Sequence, residues 1–240
     1  MARVTAASTE VIGTREFNLA NVTLRELNRY LHQDAVGAGV RRVRVLNPDG
    51  AHSIACGLDA DLEVDVDGHV GYYVAGMNQL ARVTVNGNAG PGAAENMMSG
   101  LVRVRGFAST GAGASAHGGR LVIEGDASLR CGISLKGGDI VVGGSVGSFS
   151  AFMAQAGRIV ICGDAGDALG DSLYEAVIYV RGDVRSLGAD ARFEPMTEND
   201  LAAVKDLLAT AGFNHAPSDF RRVASAKSLY HWNAEANQEY

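Results

Sequence analysis

Asp65, Asp67 and His69 are the residues whose types and spacing could most readily do chemistry. They alternate along one predicted strand, and carboxylate and imidazole groups are common ligands of metal ions. The same trio could supply acids and bases to a β-helix enzyme acting on acyl or sugar substrates. Polar side chains also alternate on the solvated face of an ordinary strand. We favour that structural interpretation and predict no metal at these positions.

A second candidate is the run GAGASA, residues 111–116, which fits the dinucleotide fingerprint and follows a predicted strand. The fingerprint requires a helix next, but Gly118 and Gly119 interrupt the chain within a few residues. The sequence also has no phosphate-binding G-K-[ST] and no serine elbow followed by a helix. We therefore assign no catalytic, cofactor-binding or metal-binding residue to this chain.

Composition excludes several classes of protein. The chain has 240 residues, of which 31 are glycine and 47% are hydrophobic. So much glycine disfavours a helical bundle, and so many apolar residues exclude a collagen-like or disordered chain. The net charge of -6 without a basic run argues against nucleic acid or an anionic membrane as partner.

The cellular setting follows from the cysteines and the apolar runs. Cys56, Cys131 and Cys162 form no C-x-x-C, and an odd number leaves one without a disulfide partner. No apolar run has the length of a signal peptide or of a membrane span. These features predict a cytoplasmic protein.

The glycines form a ladder with a fixed period of 19 residues. Its members are Gly68, Gly87, Gly106, Gly125, Gly144, Gly163 and Gly182. Aliphatic residues stand two and four positions before every one of them, which is strand spacing. Small residues stand seven positions after, and a second ladder runs through Gly100, Gly119, Gly138 and Gly157. A fixed period of this kind is the signature of a solenoid.

The period predicts an all-β solenoid, because 19 residues are too few for a strand plus a helix. We expect a right-handed parallel β-helix of about seven 19-residue coils, roughly 30 Å long at about 4.8 Å per coil. A left-handed hexapeptide helix would need a multiple of six, and the signature of a leucine-rich repeat is missing.

Both ends of the rod are predicted to carry short helices that cover apolar edges. Thr23 to Glu26 reads as a capping box that opens a helix, and Thr197 to Asp200 is a similar start. Gly212 is the expected end of the second helix. The predicted organisation is an N-terminal segment with a capping helix (1–40), a β-helix (41–192), and a C-terminal helix and tail (193–240).

One outward-facing stripe turns apolar along the rod. Three residues before the ladder glycines stand Asp65, Thr84 and Arg103, and in later coils Val122, Val141, Val160 and Tyr179. Such a stripe must be covered, either by the C-terminal helix of this chain or by a partner subunit. The four apolar residues, together with Trp232 in the tail, are therefore candidate interface residues.

The glycine coils closely resemble the GXGXG domain found at the C-terminal end of the large subunit of glutamate synthase. Similar domains occur as separate subunits of formylmethanofuran dehydrogenase and formyltransferase/hydrolase complexes. The leader Asn18–Asn28 and the tail SLYHWNAEANQEY make the chain most similar to the GXGXG subunit of N-methylglutamate synthase.

The resemblance implies a non-catalytic structural subunit of a three-subunit enzyme. One partner would resemble a class II glutamine amidotransferase, and the other would be a glutamate-synthase-like subunit that holds FMN and an iron–sulfur cluster. The complex would convert methylamine and glutamate to N-methylglutamate and ammonia. No cofactor is expected in this chain, and no functional residue can be carried over because the family motif is itself structural.

Overall fold

The strands form where aliphatic residues alternate, and a computed structural model describes them within residues 13–227. In chain order they are β1 (Thr14–Asn18), β2 (Arg42–Leu46), β3 (Glu63–Asp67), β4 (Arg82–Val85), β5 (Leu101–Val104), β6 (Arg120–Ile123), β7 (Lys136–Val142), β8 (Ala156–Ile161), β9 (Val177–Val180), β10 (Ala191–Glu194) and β11 (Arg221–Ser225). One sheet contains all of them, in the order β1-β2-β3-β4-β5-β6-β7-β8-β9-β11-β10.

From β3 to β9 each strand pairs in parallel with the next, and paired residues are 19 positions apart, as Val64 with Val83. The exception is Lys136, which pairs with Ala156 beyond a register shift at the start of β7. Isolated parallel bridges of the same period join residues two after the ladder glycines, from Val70 to Val184. The inward aliphatic residues of both layers form one buried core along the rod. The chain is thus a parallel β-helix of about seven coils, which confirms the predicted fold class.

Close stacking of the coils requires glycine in both ladders, and the second ladder has a left-handed backbone in addition. In the first ladder a Cβ on Gly125 would lie 2.9 Å from the carbonyl oxygen of Gly106, so a side chain would collide with the preceding coil. In the second ladder Gly119 has a φ of 76°, which L-residues rarely adopt. A Cβ on Gly138 of the second ladder would also lie 2.6 Å from the carbonyl oxygen of Gly119. Close stacking therefore explains the first ladder, and close stacking together with backbone conformation explains the second.

The stretch after each bridge is a wall of alternating left-handed residues, which the sequence did not predict. Residues five, seven and nine positions after each of the first six ladder glycines have positive φ, as in Tyr73, Ala75 and Met77. Hydrogen bonds to neighbouring coils hold them: the Ala94 N–H donates to Val74 O at 2.9 Å. The middle residue of each trio is buried, which explains why only small residues occur seven after the glycine.

A helix packs on the core at the start of the rod, as predicted, but the predicted cap at the other end is wrong: the C-terminal helix lies on the outer face of the sheet, because the apolar stripe there has to be covered. Helix α1 (Leu24–Arg29) continues into a π-helical turn at Tyr30–Asp34, and α2 (Glu198–Ala211) is followed by a 3-10 turn at Pro217–Asp219. Thr23 and Thr197 form the expected capping boxes with Glu26 and Asp200. Gly212, with φ of 83°, ends α2. No helix in the part of the chain that the structure describes is both long and apolar enough to cross a membrane.

Strand β11 departs from the simple coil. It runs antiparallel to both neighbours, pairing Val223 with Ile178 of β9 on one side and with Phe193 of β10 on the other. The sheet therefore extends past both ends of the predicted 41–192 β-helix, since β1 lies in the predicted N-terminal segment and β11 in the C-terminal one. The last strands close the end of the rod by reversing direction.

Candidate functional site

The carboxylates of Asp65 and Asp67 are held by arginines of the neighbouring strand. Arg42 Nε donates to Asp65 Oδ2 at 2.7 Å, and Arg44 Nε donates to Asp67 Oδ2 at 2.6 Å. Asn86 Nδ2 donates to the other oxygen of Asp67 at 2.6 Å. The Asn86 hydrogen bond and the Arg44 charge lower the pKa of Asp67 from its usual value, because both favour the ionised form. The two carboxylates thus join β2, β3 and the corner after β4.

His69 makes a hydrogen bond to the backbone of the next coil rather than to a charged side chain. Its Nδ1 accepts the Asn88 backbone N–H at 3.0 Å, across one coil. The same contact recurs along this corner, where the side chain one position after a ladder glycine accepts the backbone N–H 19 residues later. Its members are His69, Asn88, Asp126, Ser145 and Asp164. Sequence analysis missed this polar ladder, although hydrogen-bond acceptors directly after the ladder glycines could have indicated it.

The predicted trio therefore does not converge on one centre. Asp67 and His69 both line an open cleft of about 460 Å³ beside Pro48 and Asp49, but each is engaged in an inter-coil contact. Within residues 13–227, no three His, Cys, Asp or Glu side chains are grouped so that they could hold a metal ion. The contacts of these three side chains therefore join neighbouring coils.

The other sequence candidates are also structural. Gly111 and Gly113 occupy left-handed positions in the coil that follows Gly106, and turns rather than a helix follow them. Burial raises the pKa of the Cys131 thiol to about 12 and that of Cys162 to about 11, which disfavours the nucleophilic thiolate. Cys56 donates its Sγ hydrogen to the Tyr73 carbonyl oxygen at 2.6 Å. All three cysteines are free thiols.

The apolar stripe is covered by this chain's own helix. Val122, Val141 and Val160 are fully buried and Tyr179 is 3% exposed. They form a second hydrophobic cluster with residues of α2, whose buried members are Val204, Leu207, Leu208 and Ala211. The sequence left two possibilities for covering the stripe, the C-terminal helix of this chain or a partner subunit, and the helix is the one observed. Trp232 lies outside the described residues.

Polar contacts hold both ends of α2. At its start, the Tyr179 hydroxyl donates to Asp200 Oδ1 at 2.6 Å. At its end, Arg103 Nη1 donates to Ala211 O at 3.0 Å and to Glu124 Oε1 at 2.9 Å. A guanidinium at the carboxyl end of a helix is stabilised by the free carbonyls and the helix dipole.

Comparisons with known proteins place the chain among relatives. No family model matches it. The chain is 55% identical to Protein GlxC of Rhizobium meliloti (strain 1021) over 224 residues, which span 93% of this chain and 98% of that protein.

Among solved structures, the chain is similar to one in the X-ray crystal structure of the formyltransferase/hydrolase complex (FhcABCD) from Methylorubrum extorquens in complex with methylofuran. The TM-score is 0.69 at 21% identity, over 90% of this chain and 96% of that one, which shows a common fold. Because the identity to the Rhizobium protein extends over nearly all of both sequences, the chain belongs to the family of Protein GlxC.

Proposed function

We propose that this chain is a non-catalytic structural subunit of a multi-subunit enzyme complex. The observation that carries the proposal is the use of its reactive side chains: Asp65, Asp67 and His69 each bind a neighbouring coil. A stack of coils joined in this way is a stiff rod, which suits a subunit that holds partners at fixed positions. The fold shared with a chain of a formyltransferase/hydrolase complex supports the same proposal.

For the particular complex, we propose N-methylglutamate synthase, which makes N-methylglutamate and ammonia from methylamine and glutamate. The rod would join an amidotransferase-like subunit to a glutamate-synthase-like subunit that carries FMN and an iron–sulfur cluster. The resemblance of the glycine coils, the leader Asn18–Asn28 and the tail to the GXGXG subunit of that enzyme supports this assignment. The cofactors would belong to the partner.

A second candidate is the C-type subunit of a formylmethanofuran dehydrogenase or formyltransferase/hydrolase complex. The specific observation in its favour is the fold shared with a chain of the Methylorubrum extorquens complex, over 96% of that chain. The two candidates differ in their partner subunits and in their substrates.

The test is to tag this chain in its source cells, purify the complex and identify its subunits by native mass spectrometry. We expect the complex to form N-methylglutamate from methylamine and glutamate, and the isolated chain to have neither activity nor flavin. Formyl transfer by the complex would instead support the second candidate.

Two results would contradict the structural role. One is a stoichiometric flavin on the isolated chain. The other is turnover by the isolated chain that Asp67→Asn abolishes, which would favour a β-helix enzyme acting on acyl or sugar substrates. A Glu63→Gln variant is the matched control, because Glu63 is an outward carboxylate of the same strand.

A further inference from the structure

A cleft of about 310 Å³ opens on the left-handed wall near the start of the rod. Its sides are Tyr73 and Met77, which are 48% and 55% exposed. Gly76 lies between them as the buried floor, and Glu95 of the next coil forms the rim. Exposed tyrosine and methionine side chains around a concave site are typical of contact surfaces in protein complexes.

The aromatic side of the cleft is held in place before any partner binds. Tyr73 has a left-handed φ of 59°, and its carbonyl accepts the Cys56 thiol hydrogen at 2.6 Å. Tyr72 meets the Tyr73 ring edge-on at 6.4 Å, and the Tyr72 ring itself stacks on His52 at 4.4 Å. A side chain that is already ordered loses little entropy on binding, which favours affinity.

The rim carries an uncompensated negative charge. Glu95 is half-buried, and within residues 13–227 its carboxylate has no ion-pair partner. Ring and carboxylate converge above Gly92: a Cβ there would lie 2.6 Å from Tyr73 Cδ1 and 2.8 Å from Glu95 Oε2. An aromatic ring beside a carboxylate that has no ion-pair partner is complementary to a cation.

We propose that this cleft receives an arginine side chain from a partner subunit of the complex. The guanidinium stacks on the Tyr73 ring and pairs with the Glu95 carboxylate, while its aliphatic stem lies along Met77. A planar guanidinium satisfies both contacts at once, which a compact ammonium does less well. The proposal rests on the proposed function only in that it requires a partner subunit.

The first experiment measures the chemistry of the cleft in the full chain alone. The probes are N-acetylarginine amide and N-acetylcitrulline amide, which has nearly the same shape without the charge, and the readout is the NMR signal of the Met77 methyl group. We expect a saturable shift with the arginine probe, weakened about threefold to tenfold by Glu95→Gln. Equal shifts with both probes would overturn the proposal.

The second experiment measures the contact in the assembled complex. Tyr73→Leu removes the aromatic face, and Phe149→Leu is its matched control because Phe149 occupies the same coil position with a φ of 57° and 44% exposure. Native mass spectrometry at increasing salt should show that Tyr73→Leu and Glu95→Gln release a partner at lower salt than wild type or Phe149→Leu. A photo-crosslinker at Met77 should label an arginine-containing peptide of that partner.

The outcomes separate this proposal from the proposed function. A partner retained equally by all variants overturns the arginine contact and leaves the structural role intact. A wild-type chain that purifies without partners overturns the structural role, and the probe titration still decides the chemistry of the cleft. A dimer of this chain that Glu95→Gln dissociates would assign the arginine to a second copy and overturn the partner-subunit proposal.

Discussion

The two halves of the outer sheet face share one backbone and have opposite chemistry. Near the start, Arg42 pairs with Asp65 and Arg44 pairs with Asp67, which forms an ion-pair ladder across strands. Farther along, Val141 and Val160 occupy the positions equivalent to Asp65 and lie under α2 with no exposure. The coil fixes which residues point outward, and the neighbour above the sheet then determines whether that position is charged or apolar.

Arginines mark the boundary between these halves. Arg103 spans it, with hydrogen bonds to Glu124 on the sheet and to the last carbonyls of α2. Arg120 Nη2 lies 3.3 Å from Asp139 and 3.7 Å from Asp206 of the helix. The edge of the helix is therefore a charged seam around an apolar centre.

Placing a charge under α2 should have the largest effect. We expect Val141→Asp to lower the free energy of unfolding by about 3 kcal/mol or more, or to release the helix, because an unpaired carboxylate would be buried. Urea denaturation of the full chain measures this change. Thr84→Asp, at the equivalent open position between Asp65 and Arg103, should change it by no more than about 1 kcal/mol. Similar losses of stability in both variants would contradict the contrast between the covered and the open half of the sheet face.

Removing apolar volume from the helix should have the next largest effect. Leu207→Ala is expected to cost about 2–4 kcal/mol, because Leu207 is fully buried against the stripe and its loss leaves a cavity. Thermal denaturation and proteolysis of α2 report the change. Leu80→Ala, at a 54% exposed leucine, is the control and should stay within about 0.5 kcal/mol.

The hydrogen bond between Tyr179 and Asp200 should contribute less. We expect Tyr179→Phe to cost about 1–2 kcal/mol, measured by urea denaturation at neutral pH. Burial favours a higher pKa for Asp200, but hydrogen bonds from Thr197 and Tyr179, with the charge of Arg222, hold it below its usual 3.8. A lowered folded-state pKa means that the stabilisation is full above about pH 4 and is lost as pH falls through the folded pKa. The difference in the free energy of unfolding between variant and wild type should therefore shrink in acid. A difference that stays constant with pH would show that it does not come from the hydrogen bond to ionised Asp200.

The exposed ladder should give the smallest effect. Arg44→Gln is expected to lower stability by no more than about 1 kcal/mol, because Arg44 is 53% exposed and water screens its pair with Asp67. The loss should decrease further in high salt. A loss as large as that of Leu207→Ala would show that the open half depends on its charges as much as the covered half depends on packing.

The sequence predicts the coil well and its contacts between coils less well. Val64 and Val83 reveal their pairing because inward positions demand aliphatic residues at every repeat. Tyr73 does not reveal its left-handed backbone, since propensity alone argues against that conformation and inter-coil hydrogen bonds override it. His69 and Asp67 suggest metal ligands because their actual partners, Asn88 and Arg44, are about 20 residues distant in sequence.

The spacing between paired strands limits how this molecule can change in length. Apart from the register shift at the start of β7, pairing residues differ by 19 positions from β3 to β9. Those of β2 and β3 differ by 21, and Leu169 bridges Leu187 after only 18. Inserting one residue in an inner coil would shift both glycine ladders and the polar ladder together, whereas duplicating a whole coil would keep each of them in register. The rod can therefore lengthen or shorten only in whole coils, each changing the distance between its ends by about 4.8 Å.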